Sequence, residues 1–315
     1  MLLDSASMYF RAYYGVPESI TAPDGTPVNA VRGFTDMIAR LVTEYRPARL
    51  VACLDLDWRP AFRVAALPSY KAHRIEGAVG EGPATAFAGV PEEVPDTLAP
   101  QVPIILDVLA AAGIATGGAE GCEADDVIGT LAHREATDPV LGVSGDRDLM
   151  QIVREEPTPV RLLYVGRGLA KAELLGPVEV AEKYGVPQER AGESYAEMAM
   201  LRGDPSDGLP GVPGVGAKTA ATLVGRFASW AELVAAVDDP TDTRLASSAR
   251  QKLAKAADYL SVVEPVVRVV QDARVDLSRS DVLPDAPADP DALVALAERW
   301  GLSSSLERLV KALAG

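Results

Sequence analysis

PVLGVSGDRD (139–148) runs a short apolar segment into two aspartates, Asp146 and Asp148. The design recurs twice upstream, where MLLD (1–4) ends at Asp4 and RLVACLD (49–55) at Asp55. Short apolar runs of this kind suit parallel strands covered on both faces. The intervals carry helical periodicity: AVRGFTDMIARLVTEY (30–45), PIILDVLAAAG (103–113) and CEADDVIGTLAHRE (122–135). Strand alternating with helix predicts an α/β fold with a mainly parallel sheet. Ligands of such sheets sit outside the carboxyl ends of the strands. Acids stand at those ends each time.

The bulk numbers are consistent with this. A chain of 315 residues with 48% hydrophobic residues has length for a large core and a smaller second domain. No apolar run approaches the roughly 20 residues of a membrane span, and MLLDSASMYF (1–10) lacks the basic and long apolar regions of a signal peptide. Cys53 and Cys122 form no CxxC pair and no disulfide framework, so a reduced cytoplasm is the expected setting. A net charge of −15 argues against nucleic-acid binding unless carboxylates are gathered around cations.

GCEADDVIGTL (121–131) crowds Glu123, Asp125 and Asp126 at the start of a helix, with Glu123 and Asp126 on one face. One acid there is ordinary, since the helix dipole favours it; three are not. LRGDPSDGLPG (201–211) adds Asp204 and Asp207 in a turn. With Asp4, Asp55, Asp146 and Asp148 these make nine acids, and no His or Cys stands among them. His73 and His133 are the only histidines and belong to no cluster, which leaves nucleophilic triads without support. All-oxygen donors suit Mg²⁺ or Mn²⁺ rather than zinc. Two such cations about 3.5–4 Å apart would suit phosphodiester hydrolysis.

Beyond about residue 170 the texture becomes helical and alanine-rich, and DVLPDAPADPDA (281–292) reads as a loop before two terminal helices. GLPGVPGVGAKTA (208–220) is a Pro/Gly turn opening a helix. Gly214 and Gly216 let a backbone approach free N–H groups, and Lys218 adds charge in the first turn, the pattern of a helix–hairpin–helix clamp on a phosphate backbone.

Together these motifs make the chain resemble the bacterial 5′→3′ exonuclease and flap endonuclease family, including the 5′-nuclease domain of DNA polymerase I. LLDSASMYFRAYYG, CLDLDWRPAFR, YKAHR, GCEADDVIGTLA, SGDRDLMQI and RGDPSDGLPGVPGVGAKTA occur in family order over roughly residues 1–275. The resemblance implies a PIN-like domain over 1–170 with a helical arch at about 57–100. A helical DNA-binding domain would follow over 171–315, with the hairpin at about 208–225. It implies one metal site from Asp4, Asp55, Glu123, Asp125 and Asp126, and a second from Asp146, Asp148, Asp204 and Asp207. Arg11 would meet the substrate's terminal phosphates, and Lys71 and Arg74 the scissile phosphate. Arg59 and Arg63 would track the backbone, and Tyr70 would stack on an unpaired base. K⁺ at GVPGVG, a DNA 5′ end or flap as substrate, RNA primers in hybrids and a stand-alone monomeric nuclease are further implications. Two rival readings are a non-catalytic DNA-binding module with a structural metal, and a PIN-type ribonuclease. Two departures stand out: Gly208 replaces a common Asn, and IEGAVGEGPATAFAGVPEEVP (75–95) makes the arch long and acidic.

Overall fold

The structure is a computed structural model that describes residues 1–75 and 95–315. The expected arch is therefore described only at its base, and its Gly/Ala/Pro-rich part, residues 76–94, lies outside the described residues. Among the described residues seven strands form one sheet: β1 (Leu2–Asp4), β2 (Val51–Cys53), β3 (Ala115–Gly118), β4 (Val140–Ser144), β5 (Val160–Tyr164), β6 (Glu173–Leu175) and β7 (Asp276–Leu277). Their order is β6-β5-β4-β1-β2-β3-β7. The inner five are parallel, and β6 and β7 close the edges antiparallel.

Successive side chains of a strand point to opposite faces, and here both faces are covered. Leu2, Val51, Cys53, Val140 and Leu162 pack with the helices Ala124–Arg134 and Ala191–Arg202. Leu3, Ala52, Val143 and Leu163 pack with Asn29–Tyr45, Gln101–Ala112 and Ser303–Leu313. Double burial is why the strands read as apolar runs rather than as an alternation.

From β1 the chain steps through β2 to β3, then returns past β1 to β4 and β5. The strand order thus reverses between β1 and β4, and the crossover loops part there to leave a crevice at the carboxyl ends. Asp4 ends β1, and Asp146 follows β4 by two residues.

The region after residue 171 contributes to both halves of the molecule. Helices Pro177–Tyr184, Ala191–Arg202, Ala217–Val224, Trp230–Asp238, Ser247–Lys255 and Ala257–Val262 form the helical body. Segment 281–289 runs without regular structure back along the sheet, where Leu50 N–H donates to the Asp281 carbonyl (2.8 Å). Pro290–Trp300 follows, capped by Asp289 and stopped by Gly301 at φ +65°. The last helix, Ser303–Leu313, lies on Asn29–Tyr45, so the chain's two ends share one core. Among the described residues no helix is long and apolar enough to cross a membrane.

Candidate active site

The crevice at the strand reversal is a cleft of about 770 Å³. Asp4, Asp55, Glu123, Asp125 and Asp146 line it, facing Arg11, Lys71 and Arg74. Asp4 is held from two sides. It caps the helix Ser5–Gly15 by accepting from Ser7 N–H (3.0 Å), and its other oxygen accepts from Ser144 Oγ. Burial, with the Asp55 charge second, pushes its carboxyl up to about 7. Asp55 accepts from Ala124 N–H (2.6 Å), which ties β2 to the start of the Ala124–Arg134 helix. Burial and the charges of Asp4 and Asp146 hold Asp125 well above the ordinary carboxyl range.

A second acid group adjoins the first. Asp146 accepts from Asp148 N–H (2.9 Å) and so shapes the turn into the 3₁₀ segment Asp148–Ile152. Burial, then Asp146, Asp207 and Asp204, push the Asp148 carboxyl up. Asp204 caps the turn Pro205–Asp207 through Ser206 N–H (2.8 Å). Asp207 is raised by burial, with Lys71 opposing.

Four sequence expectations are corrected at this point. Arg63 does not face solvent to track phosphates; it is buried and grips Asp126 with both terminal nitrogens (2.6 and 2.7 Å). Asp126, fully buried, also accepts from Glu123 N–H (3.1 Å) and Val270 N–H (2.9 Å), so its oxygens are engaged inside the protein and it does not line the cleft. Arg59 is buried as well and donates to the carbonyls of Tyr70 (2.6 Å) and Pro68 (2.8 Å). Tyr70 is 3% exposed and donates its hydroxyl to Glu123 (2.7 Å), so its ring is a packing element and not a stacking platform. The shared cause is desolvation: a charge taken inside needs partners, and the nearby carboxylates and carbonyls supply them.

The other cations remain at the cleft. Lys71, in the left-handed region at φ +47°, reaches Glu123 Oε1, and Arg74 reaches Asp207 (3.0 Å) and the Ser206 carbonyl (2.8 Å). The same stretch is clasped to the 204–208 turn by Lys71 N–H on the Asp207 carbonyl (3.0 Å) and Ser69 Oγ on the Gly208 carbonyl (2.8 Å). Gly208, at φ +71°, leaves no room for a Cβ, which would meet the Ser69 carbonyl oxygen at 2.1 Å. Arg11 donates to the carbonyls of Gly166 (2.7 Å) and Gly145 (3.0 Å).

Between the helices Ala191–Arg202 and Ala217–Val224, Val212 and Val215 plug the core and leave Gly214, Gly216 and Lys218 exposed at the tip. Lys252 donates to the Gly214 carbonyl (2.9 Å).

The donor set is all oxygen, and a hard divalent cation relieves the burial and mutual repulsion that push Asp4, Asp55, Asp125, Asp148 and Asp207 toward protonation. By that chemistry the cleft acids fit such an ion, although among the described residues no three of them converge as a preformed cage. Sequence reasoning missed Ser144 and Ser7, the latter accepting from Gly145 N–H (3.0 Å), and Gln151, which ties the Asp148 carbonyl (3.0 Å) to Val267 (3.1 Å) and Val269 (2.9 Å). Ser144 had a signal, a polar residue closing an apolar strand just before the acidic turn. Gln151 had none, because two of its three partners, Val267 and Val269, are more than a hundred residues away.

Two family models match the chain. One, described as 5′-3′ exonuclease, N-terminal resolvase-like domain, covers residues 1–185, and the other, 5′-3′ exonuclease, C-terminal SAM fold, covers 191–290. A 5′-3′ exonuclease of Mycobacterium tuberculosis (strain ATCC 25618 / H37Rv) is 58% identical over 314 residues, 99% of this chain and 97% of that protein. A 5′-3′ exonuclease of Streptomyces coelicolor (strain ATCC BAA-471 / A3(2) / M145) is 55% identical over 313 residues, 99% of each. Among solved structures, T5 5′-exonuclease with bound zinc has a TM-score of 0.61 at 18% identity, covering 100% of this chain and 97% of that one, a likeness of fold.

Proposed function

This chain belongs to the 5′-3′ exonuclease family, and on that premise we propose that it is a structure-specific 5′ nuclease. It hydrolyses DNA phosphodiesters at 5′ ends and flaps with Mg²⁺ or Mn²⁺. The observation that carries this reading is the facing of five acids and four basic residues, Arg11, Lys71, Arg74 and Arg167, across one cleft at the strand reversal. Asp4, Asp55, Asp125 and Asp146, with Oε1 of Glu123, would hold one cation. Asp148, Asp204 and Asp207 would hold or orient a second. Cations there supply activation of water and neutralisation of the charge that develops on the phosphate.

The chain's own residues do the positioning. Arg11, fixed by two carbonyls, offers its remaining donors to the terminal phosphate of the 5′ strand. Lys71 and Arg74 sit on Glu123 and Asp207, and both exchange those carboxylates for the scissile phosphate as DNA enters. The hairpin N–H groups beyond Gly214, with Lys218, grip the duplex backbone without reading sequence. The protein acts as a monomer, and RNA primers paired to DNA fall within its substrate range. K⁺ at the hairpin competes with the Lys252 ammonium for the Gly214 carbonyl.

A 5′-labelled flap duplex and the matched single strand, incubated with Mg²⁺, Mn²⁺ or EDTA, test this. Junction cleavage that needs metal and is lost in Asp125→Asn is the expected result. Binding without cleavage in either metal would refute it.

A further inference from the structure

Arg63 stands on the short helix Ala61–Ala66 at the base of the arch, and its guanidinium is fully committed. Nη1 donates to Glu123 Oε2 (2.6 Å) and Asp126 Oδ2 (2.7 Å), and Nη2 to Asp126 Oδ1 (2.6 Å) and the Arg268 carbonyl (3.3 Å). Nε donates to the Val266 carbonyl (3.0 Å). Three parts of the chain meet on this one side chain: the arch base, the start of the Ala124–Arg134 helix, and segment 266–270 at the end of the helical body. Neutralising Asp126 alone would need only a cation, and a lysine would serve. A planar fork that spans two carboxylates and two carbonyls fixes an angle as well as a charge.

The consequence falls on Glu123. Its Oε2 takes two donors from inside, Arg63 and Tyr70, while Oε1 turns to Lys71 and the cleft. We propose that Arg63 is a positioning residue that holds Glu123 with a single oxygen presented to the cleft, and that keys this orientation to the docking of segment 266–270. The proposal rests on the nuclease reading for its kinetic test. Its geometric content is tested without DNA.

The experiment uses the full chain as wild type, Arg63→Lys, the double variant Arg63→Met/Asp126→Leu, and Tyr70→Phe. Arg63→Lys keeps the buried charge, the double variant removes the buried pair, and Tyr70→Phe removes only the second donor to Oε2. Mn²⁺ binding is measured by titration calorimetry without DNA, and flap cleavage by single turnover at saturating protein. With folded variants, Mn²⁺ affinity weakens about tenfold or more in the two Arg63 variants and by a few-fold in Tyr70→Phe. The saturating rate falls about 10²-fold, while flap affinity in EDTA stays within about twofold of wild type. Retention of Mn²⁺ affinity and saturating rate within about threefold in either folded Arg63 variant would overturn the proposal, leaving Arg63 as a counter-charge only. Should the double variant not fold, Arg63→Lys alone decides by the same criteria. A wild type inert on flaps would refute the nuclease reading, and the calorimetric comparison would still decide the role of Arg63.

Discussion

Replacing Asp126 by asparagine removes the charge from a fully buried carboxylate that accepts four hydrogen bonds, two from Arg63 and one each from the amides of Glu123 and Val270. The amide keeps one acceptor oxygen and turns an NH₂ toward donors, so at least one buried donor loses its partner. Breaking one side of a buried ion pair costs about 3–5 kcal/mol. Glu123 still faces Arg63, which puts the expected cost near the lower end, about 3 kcal/mol. An unfolding entropy of about 2.1 cal/mol/K per residue over this chain then corresponds to a fall in Tm of roughly 4–5 °C. Asp125→Asn, one residue earlier, has the opposite sign. Its carboxyl lines the cleft and is pushed up by burial and by Asp4 and Asp146, so a neutral amide relieves repulsion in the metal-free protein. Differential scanning calorimetry at pH 8 in EDTA compares the two. Asp126→Asn melting within about 1 °C of wild type, or Asp125→Asn melting below it, would refute the division of these acids into an inner and a cleft-facing set.

Three further outcomes follow from particular contacts. Leu309→Ala, in the last helix against Asn29–Tyr45, should cost about 2–5 kcal/mol in urea titration, whereas Arg308→Ala, whose pair with Asp36 is exposed, should cost about 1 kcal/mol or less; equal costs would mean that the apolar face does not carry the docking. Lys71→Met should lower the single-turnover rate by about 10²–10³-fold while Mn²⁺ binding measured by calorimetry persists, because the cleft acids are untouched; a loss of Mn²⁺ binding would assign Lys71 a structural role. Lys252→Ala should make duplex binding measured by fluorescence anisotropy more responsive to K⁺ than to Na⁺ at equal ionic strength, since the Gly214 carbonyl loses its ammonium; an unchanged K⁺ response speaks against a hairpin K⁺ site.

Legibility in the sequence followed the range of the interaction. Asp4, Asp55 and Asp146 were readable as cleft-lining acids because each follows an apolar run, and a parallel strand delivers its end to the same edge of the sheet as its neighbours. Glu123 and Asp126 were readable as partners on a helix start, and Asp126 does accept from the Glu123 N–H there. What that spacing could not say is that Asp126 points inward. Its deciding partners are Arg63, 63 residues before it, and Val270, 144 residues after it. Arg63 and Tyr70 were misassigned for the same reason, whereas Arg59 is held by the nearby carbonyls of Pro68 and Tyr70. A basic and aromatic stretch looks like a phosphate-facing surface until its burial against carboxylates and carbonyls is seen.

The sequence by itself determined the alternation of strand and helix, the acids at strand ends, the all-oxygen donor chemistry and the glycine-lined hairpin, because each depends on neighbours within a turn or a strand. Only the tertiary structure decided which acids face the cleft and which are clamped inside, that Lys71 and Arg74 sit on Glu123 and Asp207, and that the last helix returns to the first core. Those outcomes depend on which distant donor or apolar face reaches a group as water leaves it. Desolvation makes that choice expensive to get wrong, and no local pattern records it.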